Sequence, residues 1–154
     1  MTKKEKAPFD MERFYNDPSA FKARAQEEIK RAKRYATFVS IITLDLSHID
    51  AVKDIENYDN FDEFISSFRK LIKGSIRETD LLSISNRRRV FILLVDTPRE
   101  GASALMERLG ETLKYFLANN IRSPLNWRVP MKDYSFPAAM EDESSIQSFL
   151  NDLN

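Results

Sequence analysis

The side chains best placed to do chemistry in this chain are arginines and aspartates. Asp45 ends the run TFVSIITLDL at 37–46, Arg77 and Asp80 stand three residues apart in RETD, and Asn86-Arg87-Arg88-Arg89 separates two apolar stretches. Three adjacent guanidiniums suit an anion or an acidic partner, and they suit equally well the solvated tip of a hairpin. Arg77 falls at the end of a helical pattern, where the dipole favours a cation, and Asp80 opens a strand, where short acidic residues make turns. Arg108, in MERLGE, also has a plain reading as a solvated residue on the outer face of a helix. Asp45 reads as a half-buried carboxylate paired to Arg88 or Lys53. No cysteine is present and His48 is the one histidine, which excludes a disulfide framework, a zinc ribbon and a cysteine nucleophile. Any metal would need carboxylates.

The elements that must position these groups follow from the apolar pattern. With 154 residues, 31% of them charged and 42% apolar, the chain has the size of one domain. A domain of that size buries roughly 70% of the surface its unfolded chain exposes. Lysine plus arginine equals aspartate plus glutamate at 24 each, so the net charge argues for neither nucleic acid nor membrane as a partner. The start, MTKKEKAPFDMERF, lacks the apolar core of a signal peptide, and no 18 apolar residues run together, so the expected location is cytoplasmic, without membrane insertion.

Residues 1–18 read as an N-terminal arm and 19–154 as the domain, with Ser19 placed to cap a first helix whose stripe is Phe21, Ala25, Ile29 and Ala32. The 37–46 run predicts a central strand, and a short helical stretch is expected over 48–56. Residues 60–77 carry the best helical repeat, through Phe61, Phe64, Ile65, Phe68, Leu71, Ile72 and Ile76. LLSIS at 81–85 and VFILLVD at 90–96 flank the arginine tetrapeptide as a β-hairpin. Pro98 opens a helix reaching about residue 117, an irregular strand is expected near 126–136 among prolines, and a short helix closes the chain at about 144–153. This order predicts an α/β sandwich with a central mixed sheet flanked by helices.

LDLSHIDAVKD at 44–54 and RETDLLSISNRRRVFILLVDT at 77–97, in this order of elements, resemble the GGDEF domain family, the bacterial diguanylate cyclases that condense two GTP into cyclic di-GMP. The resemblance spans about residues 10–153 and implies a nucleotidyl cyclase-like sandwich. It also implies loss of the active site. The family's Gly-Asp at a helix start falls on Phe61-Asp62, and the signature pentapeptide falls on Asn86-Arg87-Arg88-Arg89-Val90, which keeps none of its residues. Of the two metal-binding acids Asp45 matches one, and the other falls on Arg88, whose permanent positive charge repels a divalent cation. Asp62 keeps a guanine-facing position. The vestigial active site is thus Asp45, Asp62, Asn86, Arg87, Arg88 and Arg89, with no catalytic residue, no metal and no cofactor expected, and an Asp45–Arg88 contact filling the vacated place.

The same resemblance implies a second site. In many family members an R-x-x-D upstream of the hairpin and an arginine on the following helix bind cyclic di-GMP. Arg77 and Asp80 keep that register, and Arg108, 22 residues beyond Asn86, matches the helix arginine. Three such matches by chance are on the order of one in a few thousand. The chemistry fits: guanidinium forks pair with a guanine edge and with phosphate, and a carboxylate accepts from guanine N–H groups. The reading is an inactive signalling domain acting as a cyclic di-GMP receptor, with Asp80→Ala leaving its fold intact and with a protein partner or a second protomer completing the site. Two other readings stand beside it: a protein-interaction or dimerisation module without nucleotide binding, and a metal-independent GTP sensor using Asp62 and the arginines.

Overall fold

The computed structural model describes residues 17–49, 55–85, 88–121, 129–137 and 145–153. Their elements run α1 (Pro18–Tyr35), β1 (Val39–Asp45), α2 (Phe61–Lys73), β2 (Leu81–Ser85), β3 (Arg89–Val95), α3 (Arg99–Asn120), β4 (Met131–Phe136) and α4 (Ser145–Asn151). The N-terminal arm up to residue 16, the centre of the 48–56 stretch, the hairpin tip residues Asn86 and Arg87, and the segment 122–128 with Pro124 and Trp127 lie outside the described residues.

Local chemistry sets the helix ends. Asp17, not Ser19, caps α1: its carboxylate accepts from the Ser19 N–H at 2.9 Å, and Pro18 takes the first helical position, where a missing N–H costs nothing. Asn60 caps α2 by accepting from the Glu63 N–H at 2.9 Å, while the Glu63 carboxylate accepts from the Asp59 N–H at 3.2 Å. Gly74 ends α2 after Lys73, short of the expected residue 77, because glycine gains least from continuing a helix. Arg77 is therefore in the turn that leads to β2, not in the last turn of a helix.

The sheet has the order β2-β3-β1-β4, and all three pairings are antiparallel. The expected mixed sheet is corrected here. The crossover through α2 does bring β2 back parallel in direction to β1, but β3 turns at the hairpin and inserts between them. Alternation along the central strands then builds two cores. Ile42, Leu44, Val90, Ile92 and Leu94 face α2 and α3, with Phe64, Phe68, Leu105 and Leu109 among the buried contacts. Ile41, Phe91 and Leu93 face α1 and α4, packing on Phe21, Ile29 and Leu150. β1 and β3 have a helix-covered core on each face, which is why their sequences are apolar almost throughout.

Candidate functional site

Antiparallel pairing sorts the chemical groups to the two ends of the sheet. Asp45 stands opposite Arg89 at one end, while Val39, Val95 and Phe136 share the other.

At the first end lie the positions that the resemblance assigns to the active site. The Asp45 carboxylate accepts from the Ser47 N–H at 2.8 Å, and this bond, aided by the nearby positive charges of His48 and Arg89, holds its pKa below the ordinary carboxylate value. The expected Asp45–Arg88 pair does not form. Arg88 turns toward α2 instead: its Nη1 donates to the Ile49 carbonyl, and its guanidinium lies over the Phe61 ring, 4.2 Å from the centroid. A planar, weakly hydrated cation on an aromatic face is a favourable contact that a more distant carboxylate does not displace. The Arg88 carbonyl also accepts from the Leu46 N–H at 2.7 Å, which ties the hairpin to the end of β1. Arg89 covers the Phe91 ring at 5.1 Å. Asp62 is exposed in the first turn of α2. Among the described residues no three His, Asp or Glu side chains gather as a metal site. The donor set does not fit the divalent cation that a cyclase would hold, since Asp45 faces cations where a second acid would be needed.

At the other end Arg77 and Asp80 come together. The Asp80 N–H donates to the Arg77 carbonyl at 3.0 Å, closing a turn, and the Asp80 carboxylate accepts from the Arg77 N–H at 3.0 Å, Nε at 3.3 Å and Nη2 at 3.2 Å. It also accepts from the Val95 N–H at 3.3 Å. Asp80 is 2% exposed, whereas the Arg77 side chain is 55% exposed. Nη2 of Arg77 reaches further, donating to the Val95 carbonyl and to Thr97 Oγ1, each at 2.5 Å. The sequence expectation that Asp80→Ala would leave the fold intact is at odds with this placement, because a buried carboxylate that satisfies two backbone N–H groups is structural as well.

Thr97 was not singled out by sequence reasoning, yet it is held from several sides. Its Oγ1 donates to the Val95 carbonyl at 2.8 Å, and its own carbonyl accepts from Ser40 Oγ at 2.8 Å. With its own proton on the Thr97 carbonyl, Ser40 Oγ accepts from Ser135 Oγ at 2.9 Å. A polar relay thus crosses the sheet end from β4 through β1 to Thr97, Arg77 and Asp80 at the start of β2. The signal was there in outline, since a lone serine inside TFVSIITLDL needs a buried partner.

Arg108 is exposed on α3. Gly101, seven residues before it and so on the same helical face, packs against Thr97, where a β-carbon would come within 2.9 Å of the Thr97 methyl. Arg108 therefore projects from the flank of α3 that starts at the Arg77 corner, about 10 Å further along the axis.

An antiparallel four-stranded sheet between two helical layers, with a hairpin beside a strand-end aspartate, defines the nucleotidyl cyclase-like class of domain. Residues 14–126 match the family model described as diguanylate cyclase, GGDEF domain, and the chain belongs to that family. It is 26% identical over 140 residues to the Bacillus subtilis protein named "Uncharacterized membrane protein YdaK", covering 90% of this chain and 48% of that one. The chain thus spans about half the length of this curated relative. Among solved structures it resembles a DGC protein from Thermotoga maritima, with TM-score 0.62 and 13% identity over 94% of this chain and 100% of that one. It also resembles PelD from Pseudomonas aeruginosa PA14 in complex with c-di-GMP, with TM-score 0.54 and 20% identity over 87% of this chain and 44% of that one. Both likenesses concern the fold. No helix among the described residues is long and apolar enough to cross a membrane.

Proposed function

We propose that this GGDEF domain is a catalytically inactive, cytoplasmic receptor that takes cyclic di-GMP at Arg77, Asp80 and Arg108. The observation that carries the reading is the contrast between the two ends of the sheet. At one end, Arg88 is spent on Phe61 and the Ile49 carbonyl, in the place where the family pattern has a metal-binding acid. At the other, an exposed guanidinium is oriented by a buried carboxylate, beside the flank of α3 that carries Arg108. A guanidinium fork suits a guanine edge or a phosphate, and Arg108 adds a second cation for the anionic ligand. The likeness to PelD, solved with c-di-GMP, supports the same chemistry on the same fold. Two intercalated cyclic di-GMP molecules carry four phosphate charges, more than the two arginines of one protomer meet, so a second protomer or a protein partner completes the site.

Calorimetry with cyclic di-GMP and with GTP, each with and without Mg²⁺, tests the reading. Heat is expected with cyclic di-GMP alone, independent of metal. Losing a bidentate arginine contact costs about 1–3 kcal/mol, so Arg77→Ala and Arg108→Ala should each weaken binding by roughly one to two decades. No heat at high micromolar protein would leave the interaction-module reading in its place.

A further inference from the structure

The bonds made by Arg77 leave its guanidinium incompletely available. Nε and one hydrogen of Nη2 face the Asp80 carboxylate, and the Val95 carbonyl and Thr97 Oγ1 both lie 2.5 Å from Nη2, where its other hydrogen points. None of these bonds uses Nη1. A guanidinium grips a guanine edge or a phosphate with two parallel N–H groups, and both of its forks, Nε with Nη2 and Nη1 with Nη2, require Nη2. A ligand arriving at the exposed side of Arg77 therefore meets one free donor nitrogen and one that is already taken.

We infer that Thr97 is a positioning residue that latches Arg77 in this self-bonded state, and that binding of a guanine or phosphate fork requires the guanidinium to leave Thr97. The latch rests on a rigid support. Thr97 is fixed through its carbonyl by Ser40, through its hydroxyl by the Val95 carbonyl, and on its methyl side by Gly101. Turning the guanidinium outward also opens its Nε and Nη2 bonds to Asp80, but the carboxylate keeps the Arg77 and Val95 N–H groups as partners and stays covered. The inference rests on the proposed receptor role for the identity of the ligand, but the latch itself is a property of the ligand-free chain.

Thr97→Val keeps the shape and the methyl contact with Gly101 and removes the acceptor, while Thr97→Ser keeps the hydroxyl. Because hydrogen bonds to charged groups are among the stronger ones and the Val95 carbonyl remains, Thr97→Val should tighten cyclic di-GMP binding by roughly five-fold, with Thr97→Ser close to the parent. The ligand-free readout is rotation of the Arg77 guanidinium about its Nε–Cζ bond, followed by exchange between its two Nη signals in ¹⁵N NMR. Exchange should be slow in the parent and in Thr97→Ser, and several-fold faster in Thr97→Val. Equal exchange in parent and Thr97→Val overturns the latch whether or not any nucleotide binds. If the parent binds cyclic di-GMP and Thr97→Val binds it no more tightly, the gating role is overturned. If the parent does not bind cyclic di-GMP, the receptor reading fails, and the exchange rates alone decide the latch.

Discussion

Arg77 and Asp80 hold each other through both side chain and backbone: the carboxylate that accepts from the Arg77 guanidinium also accepts from the Arg77 N–H at 3.0 Å, and the Arg77 carbonyl accepts from the Asp80 N–H. Three residues of sequence separation thus form one closed unit at the entrance to β2. The buried member carries the structural duty, while the side chain of its partner is more than half exposed.

That division makes Asp80 the more costly of the two to remove. Asp80→Ala strips acceptors from the Arg77 and Val95 N–H groups, and a lost partner for buried donors costs about 1–3 kcal/mol, more where a charge is involved. Urea unfolding should show that loss for Asp80→Ala, and a smaller one for Arg77→Ala, whose side chain is half exposed.

Acid stability should report Asp45. Its folded pKa lies below the ordinary 3.8, so it contributes stability that is present above that value and is lost as pH falls through the lowered folded value. Asp45→Asn should therefore be less stable than the parent at neutral pH, with the gap closing below about pH 4 as the parent carboxylate takes up its proton. Melting temperatures followed from pH 7 down to 2.5 check this, and a gap that stays constant would contradict it.

The stack of Arg88 on Phe61 is geometric as much as electrostatic. Arg88→Ala should destabilise by about 1 kcal/mol, and Arg88→Lys should recover little of it, since an ammonium does not stack as a planar guanidinium does. Chemical denaturation of both variants beside the parent measures the difference.

With GTP and either Mg²⁺ or Mn²⁺ no cyclic di-GMP should form, and Arg88→Glu alone should not produce any. One acid alone does not supply the glycines of the signature pentapeptide, which let the backbone approach the nucleotide. Chromatography of the reaction mixture, with chain freed of contaminating cyclase, gives the answer.

Much of this was legible in the sequence wherever a single element carried its own signal. The repeat from Phe61 to Ile72 defined α2, the apolar runs defined β1 and β3, and the RETD spacing placed Arg77 beside Asp80. What escaped depended on residues far apart in the chain. Arg88 meets Phe61 across 27 positions and Ser40 meets Thr97 across 57, and neither pairing has a local pattern. The sheet was read as mixed because a crossover through a helix usually sets strands side by side, and no local signal said that β3 would lie between them. The expected Asp45–Arg88 pair failed for a related reason: charge complementarity is visible in sequence, whereas an aromatic face competing for the same cation is visible only once the chain has folded.

The contact between Arg88 and Phe61 also makes the two positions interdependent. Replacing Phe61 with glycine alone leaves the arginine without its ring, and replacing Arg88 with an acid alone sets a carboxylate against the face of that ring, which its negative quadrupole disfavours. The two residues are therefore energetically coupled, and a double-mutant cycle at positions 61 and 88 should be non-additive.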